Sequence, residues 1–145
     1  MKSFISIAAL VVSCISVGMS ALIYYLGFRR TQKQATLDAF NVLQAQVFDK
    51  LNAYRKADII EISKDVHSTQ YKEVSGLLAR CAHFAVGVNS GIYSKTIVRR
   101  LAGRYLIYLY DKLEPLIQKK RQVNTLERHY YEFEMLIADI KKYYT

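Results

Sequence analysis

From Phe4 to Phe28 the chain runs twenty-five residues without a charged side chain, and Arg29 and Arg30 follow directly. At about 1.5 Å of rise per residue such a helix reaches roughly 37 Å, whereas a bilayer's hydrocarbon core is about 30 Å thick and needs about 20 apolar residues to cross. The pattern predicts a transmembrane anchor over residues 1–28, long enough to tilt. Past Arg30 the rhythm changes. Phe40, Leu43, Val47, Leu51 and Tyr54 recur at three and four, the period of one helix face. Thr31 to Ala57 holds no Gly or Pro. A juxtamembrane helix over 29–57 is therefore expected to continue the span, directly or after a bend near the head groups.

Residues 58–145 alternate helical stretches with short polar breaks. A stretch from about Asp58 to Asp65 meets a break at His67-Ser68-Thr69, where Ser68 or Thr69 caps the next element. Residues 70–89 put Leu77, Leu78, Cys81, Phe84, Ala85 and Val88 on a buried face, and the apolar run from Cys81 to Val88 marks a central helix. Asn89-Ser90-Gly91 ends it, glycine being free to turn left-handed. Ser94 caps a helix from Lys95 to about Arg121, with Val98, Leu101, Tyr105, Leu109, Leu113 and Leu116 inward and a kink expected at Pro115. Thr125 caps the last helix, with Leu126, Tyr130, Phe133, Leu136, Ile137 and Ile140 inward. No β-alternating run competes. The fold expectation is all-α: one N-terminal transmembrane helix continuing into an antiparallel bundle of four to five helices, the bundle occupying 58–145.

A cleaved secretory signal is the alternative to an anchor. Ser16 and Gly18 could mimic a cleavage site, and Lys2 is the one base ahead of the run. Signal peptides have apolar cores of only about 7–15 residues, and this one continues through Leu22-Ile23-Tyr24-Tyr25-Leu26. Length therefore favours retention. Tyr24, Tyr25 and Phe28 stand where aromatic rings suit the interface, and Arg29, Arg30 and Lys33 outweigh Lys2. The positive-inside rule then puts the N-terminus outside and the following domain in the cytoplasm. Ser6, Ala9, Ser13, Ser16 and Ser20 form a stripe of small residues. Such a stripe allows close helix pairing and a homo-oligomer, or simply lets the hydroxyls bond back to the backbone.

The full chain of 145 residues is 52% hydrophobic with one proline, which excludes a disordered cytoplasmic part and suits long helices. Its net charge of +9 is uneven: residues 29–57 carry six bases against two acids, and 95–121 carry eight against two. Beside a membrane this favours anionic head groups, at about 1 kcal/mol per base near the surface; nucleic acid is the other acidic partner. The cysteines, Cys14 in the apolar run and Cys81 beyond it, form no disulfide framework.

Catalytic signatures are sparse. His67 falls in a turn, His83 on the apolar helix and His129 beside a tyrosine pair. Cys81 and His83 lie on different faces of a helix, so no metal site is expected, and His83 reads as a buried imidazole. Glu132 and Glu134 point about 200° apart on a helix; Glu127 and Glu132 read as solvated, and Glu134 as a partner for Arg104 or Lys112. No nucleophile elbow or phosphate loop occurs. The expectation is a non-enzyme without cofactor. What remains is a basic, tyrosine-rich ridge, Arg99, Arg100, Arg104, Tyr108, Lys119, Lys120 and Arg121, as the candidate interaction surface. It would serve as a lipid-facing or single-stranded nucleic-acid surface, or as a solvated ridge over core tyrosines.

His83-Phe84-Ala85-Val86-Gly87-Val88 followed by Asn89-Ser90-Gly91-Ile92-Tyr93, Leu113-Glu114-Pro115-Leu116-Ile117 with Lys120-Arg121, and Tyr130-Tyr131-Glu132-Phe133-Glu134 together resemble a bacterial family known as domain of unknown function 4760. The resemblance covers roughly residues 70–140 and, in kind, the apolar segment. It implies an N-terminal membrane helix ahead of a compact helical domain, and a bacterial or prophage source. It implies no activity and no catalytic residues. The functional expectation is a single-pass inner-membrane interaction protein, in a phage or stress setting, that binds a protein partner the sequence does not name or senses something at the membrane, with the Leu113–Arg121 segment and the basic ridge as its contact surface. A membrane-tethered nucleic-acid binder is the alternative.

Overall fold

The computed structural model describes residues 2–124 and 130–145 as backbone, and 10–123 and 130–145 with their side chains. Helix α1 spans Lys2–Leu43 and passes through a π-helical turn, Gln44–Phe48, into the short α2, Asp49–Asn52. These three form one rod. α3 is Lys56–Lys64, α4 Thr69–Asn89, α5 Lys95–Asn124 and α6 Tyr131–Tyr144. No strand occurs among the described residues.

The rod divides by environment. Every residue from Leu10 to Thr31 is exposed, whereas Thr36, Leu43, Val47, Phe48 and Leu51 are buried. Those four apolar residues share one core with Ile59, Leu78, Leu109, Leu113, Phe133 and Ile137, so the second half of the juxtamembrane helix belongs to the bundle. The π turn is a departure from the regular spacing. Its extra residue widens the helix, the Asp49 N–H donating to the Gln44 carbonyl, and lets consecutive Val47 and Phe48 both face inward. Phe48 then lies 4.6 Å from the ring of Tyr105 and 5.8 Å from that of Phe40.

α4 and α5 each pack against α1, α3 and α6. Gln32 and Gly91 meet at one end of α4 and Gln46 and Arg80 further along, so α4 returns antiparallel to α1. Thr36 meets Ser94 and Leu51 meets Lys112, so α5 runs parallel to α1 again. Local capping explains the turns. Ser68 Oγ accepts from the Tyr71 N–H at 3.1 Å, closing the N-terminus of α4. Gly91 takes φ 80° at its other end, and the Tyr93 N–H returns to the Gly87 carbonyl at 3.0 Å. The Ser94 carbonyl accepts the first bonds of α5 from Ile97 and Val98.

Several side chains stand differently from their sequence reading. Leu101 is exposed, because Ala102 and Leu106 supply the inward positions beside it. α5 runs on through Pro115 to Asn124. α6 begins at Tyr131, and Tyr130 enters it in the left-handed region at φ 65°. The capping role read for Thr125 and the inward role for Leu126 lie outside the described residues. His83 is exposed rather than buried. Its neighbour Cys81 is 1% exposed, and burial pushes its thiol up to about 12.

Candidate membrane-surface site

Tyr24, Tyr25, Arg29 and Arg30 are exposed at the end of the apolar run, with the Arg29 guanidinium 5.0 Å from the centre of the Tyr25 ring. Along the small stripe, Ser13, Ser16 and Ser20 are exposed. Ser16 Oγ donates to the Val12 carbonyl at 2.9 Å and Ser20 Oγ to the Ser16 carbonyl at 2.8 Å. Those hydroxyls are used within their own helix. The side chains of Ser6 and Ala9 lie outside the described residues.

The basic residues of α5 fall into two groups. Nineteen residues separate Arg100 from Lys119, about 28 Å of helix, with the first group near the apolar span and the second at the far end. Arg99 Nη2 donates to Asp139 at 2.6 Å, and its guanidinium lies 5.4 Å from the Tyr143 ring centre. Burial alone would raise the Asp139 carboxyl, but the bonds from Arg99 and Lys95 outweigh it and hold it below its ordinary value. Arg104 is exposed and lies 5.6 Å from the ring of Tyr144 rather than that of Tyr108, which faces Lys112. At the far end Arg121 donates to Glu134 at 2.7 Å, taking the carboxylate assigned from sequence to Arg104 or Lys112. Lys119 is half-buried, and Lys120 Nζ lies 5.5 Å from the ring of Tyr71. Burial lowers the Lys120 ammonium from its ordinary value.

Lys112 is 3% exposed, its Nζ donating to the Leu51 carbonyl at 2.7 Å, and burial lowers its ammonium. It ties α5 to the last turn of the rod. Glu132, read as solvated, accepts from Asn89 Nδ2 at 2.8 Å and joins the end of α4 to the start of α6. Among the described residues no group of three or more His, Cys, Asp or Glu is placed to hold a metal ion. His83 lines a groove of about 380 Å³ whose walls include Leu43, Val47, Arg80 and Phe84.

Four bases missed as a set from sequence come together where the bundle meets the span. A cleft of about 680 Å³ opens between α1 and the first turn of α5, with Arg29, Lys33, Lys95 and Arg100 on its walls. Gln32 Nε2 donates to the Gly91 carbonyl at 2.6 Å, and Thr36 Oγ1 accepts from the Ser94 N–H at 2.7 Å. These bonds pin the α4–α5 turn against α1 and hold the cleft's two walls at fixed spacing. No spacing rule could have grouped residue 29 with residue 100.

The architecture is an exposed apolar helix running into a bundle in which Asn89 bonds Glu132. The model for the domain of unknown function called DUF4760 matches residues 4–140. The chain belongs to the DUF4760 family. No curated protein and no solved structure matches it. The DUF4760 match takes in the apolar helix, all of α2 to α5 and most of α6, and is wider than the segment from which the likeness was read.

Proposed function

We propose that this DUF4760 protein is a single-pass bacterial inner-membrane protein, N-terminus outside, whose cytoplasmic helical bundle is a non-enzymatic interaction module held at the bilayer surface. The observation that carries the reading is the uncovered helix. Among the described residues one helix is long and apolar enough to cross a membrane, and none of its apolar window is buried by the rest of the chain. A core helix of a soluble domain would be covered by its neighbours; this one needs lipid. Continuity supports retention over cleavage: the same rod carries the span, the Gln32 and Thr36 contacts and the core residues Leu43 to Leu51. The family match begins at residue 4 and so takes in the apolar helix together with the bundle, which supports retention. Arg29, Arg30 and Lys33 support the cytoplasmic side for the bundle.

The far basic group does not favour a nucleic-acid reading. Tyr110 packs its ring against Phe133, Lys120 Nζ lies over the buried Tyr71 ring and Arg121 is committed to Glu134, so these groups are engaged within the bundle rather than held ready for bases. The test is alkaline carbonate extraction of expressing membranes with the intact mass of the extracted chain. The expected result is a full-length polypeptide in the membrane pellet. A shortened chain in the supernatant refutes the reading. Side is tested with Ala138→Cys, an exposed position on α6, because buried Cys81 cannot report it. Labelling by an impermeant maleimide in intact cells would place the bundle outside.

A further inference from the structure

We propose that the cleft walled by Arg29, Lys33, Lys95 and Arg100 binds the phosphate of an anionic glycerophospholipid head group. This rests on the membrane-spanning reading and adds a specific ligand site to it.

Position is the first argument. Arg29 and Lys33 follow Phe28 by one and five residues, about 1.5–7.5 Å along the helix. The head-group layer occupies about 5–7 Å on each side of the hydrocarbon core, so both bases stand at phosphate depth. Charge is the second. Among the described residues no carboxylate pairs with Arg29, Lys33 or Arg100; Lys95 shares Asp139 with Arg99, at 3.2 Å. Three cations without a counter-ion face one cleft. Thr96 and Lys95 belong to the first turn of α5 and also line it, adding the positive end of the helix dipole. Size is the third. About 680 Å³ lies within the usual range of about 300–1,000 Å³ for small-ligand sites and admits a glycerophosphate head. The fourth separates lipid from a soluble phosphate compound: Ile92, at the tip of the turn pinned to α1, is 60% exposed beside the cleft. That turn docks on Gln32, four residues past Phe28, so the cleft opens within the head-group layer, where lipid phosphates are concentrated.

The test uses the full chain in a neutral detergent, titrated with phosphatidylglycerol or phosphatidylcholine while bundle unfolding is followed by near-ultraviolet circular dichroism. A ligand of the folded state raises Tm with concentration. The expected result is a rise with phosphatidylglycerol and none with phosphatidylcholine. Lys33→Gln with Arg100→Gln, both exposed positions, should weaken the apparent affinity at least about tenfold, two charge contacts at about 1 kcal/mol each. Arg104→Gln with Lys119→Gln, the same charge change elsewhere, should leave it unchanged. Thr96→Glu is the second variant: a carboxylate in the first turn helps α5 yet should abolish the lipid response. Equal loss in both double variants means diffuse attraction and overturns the cleft. An equal response to free glycerol phosphate overturns the lipid assignment. A membrane-integral chain indifferent to phosphatidylglycerol overturns this proposal alone, whereas a chain released by carbonate overturns the spanning reading beneath it.

Discussion

Two glycines of α4 should respond in opposite directions to the same substitution. A Cβ on Gly87 would lie 2.6 Å from Tyr93 Cδ2, whereas a Cβ on Gly76 would meet nothing within 4 Å. Gly87 exists to let the Tyr93 ring cross the helix and stack on Phe84, centroids 5.4 Å apart and planes 21° apart. Gly87→Ala would push that ring out. It loses about 0.5–1.5 kcal/mol of aromatic contact and about 1 kcal/mol of apolar burial for a half-buried ring. It also strains the bond from the Tyr93 N–H to the Gly87 carbonyl, worth about 1 kcal/mol. The better helix propensity of alanine returns about 1 kcal/mol. The net is a loss of about 2 kcal/mol, or a Tm lower by about 10 °C for a domain of this size. Gly76→Ala keeps only the propensity gain, up to about 1 kcal/mol, and should raise Tm by about 5 °C. The assay is thermal unfolding of the full chain in detergent, read in the near-ultraviolet tyrosine signal because the span keeps its helix in micelles. Gly87→Ala matching or exceeding the parent Tm would refute the account of Tyr93. A lower Tm for Gly76→Ala would show that the α4 face there is covered.

Further outcomes follow from the buried and paired groups. In a Cys14→Ala background, Cys81 should resist maleimide in the native state and react on unfolding. Because its folded pKa is raised to about 12, the stability it contributes is present below its unfolded value of about 8.5 and lost as pH rises toward the folded one. Cys81→Ala should flatten that alkaline decline in a pH series of melts, and fast native labelling at pH 8 would contradict its burial. Asp139 has the opposite sign. Its depressed pKa contributes stability above about pH 4 that disappears as pH falls through the folded value, so Asp139→Asn should flatten the acid limb, by under about 1 kcal/mol for so exposed a pair. Lys112→Met keeps the buried stem, exchanges a desolvated ammonium for an apolar end and leaves the Leu51 carbonyl its bond from the Tyr54 N–H at 3.2 Å, so it should stay within about 1 kcal/mol of the parent. Lys112→Ala also loses three methylenes at about 0.8 kcal/mol each and should cost at least about 2 kcal/mol; equal denaturation midpoints for the two variants would refute the stem's part in the core.

What the sequence determined by itself was local and periodic. The uncharged run, the three-and-four spacing of Leu43, Val47 and Leu51, the Ser68 cap and the left-handed Gly91 all appear where expected, because each depends on residues within one or two helical turns. Periodicity names a stripe but not its edges. Leu101 and His83 therefore stand outside, while Lys112 is drawn in to meet Leu51. The π turn was hidden for a related reason: it accompanies the packing of Phe48 against Tyr105, fifty-seven positions away. Only the tertiary structure decided which charges are neutralised, giving Arg99 to Asp139 and Arg121 to Glu134 and leaving Arg29, Lys33 and Arg100 around one cleft. Charge pairing acts across space with a reach of a few ångströms, and the distances that matter were set by how the α4–α5 turn docks on the rod.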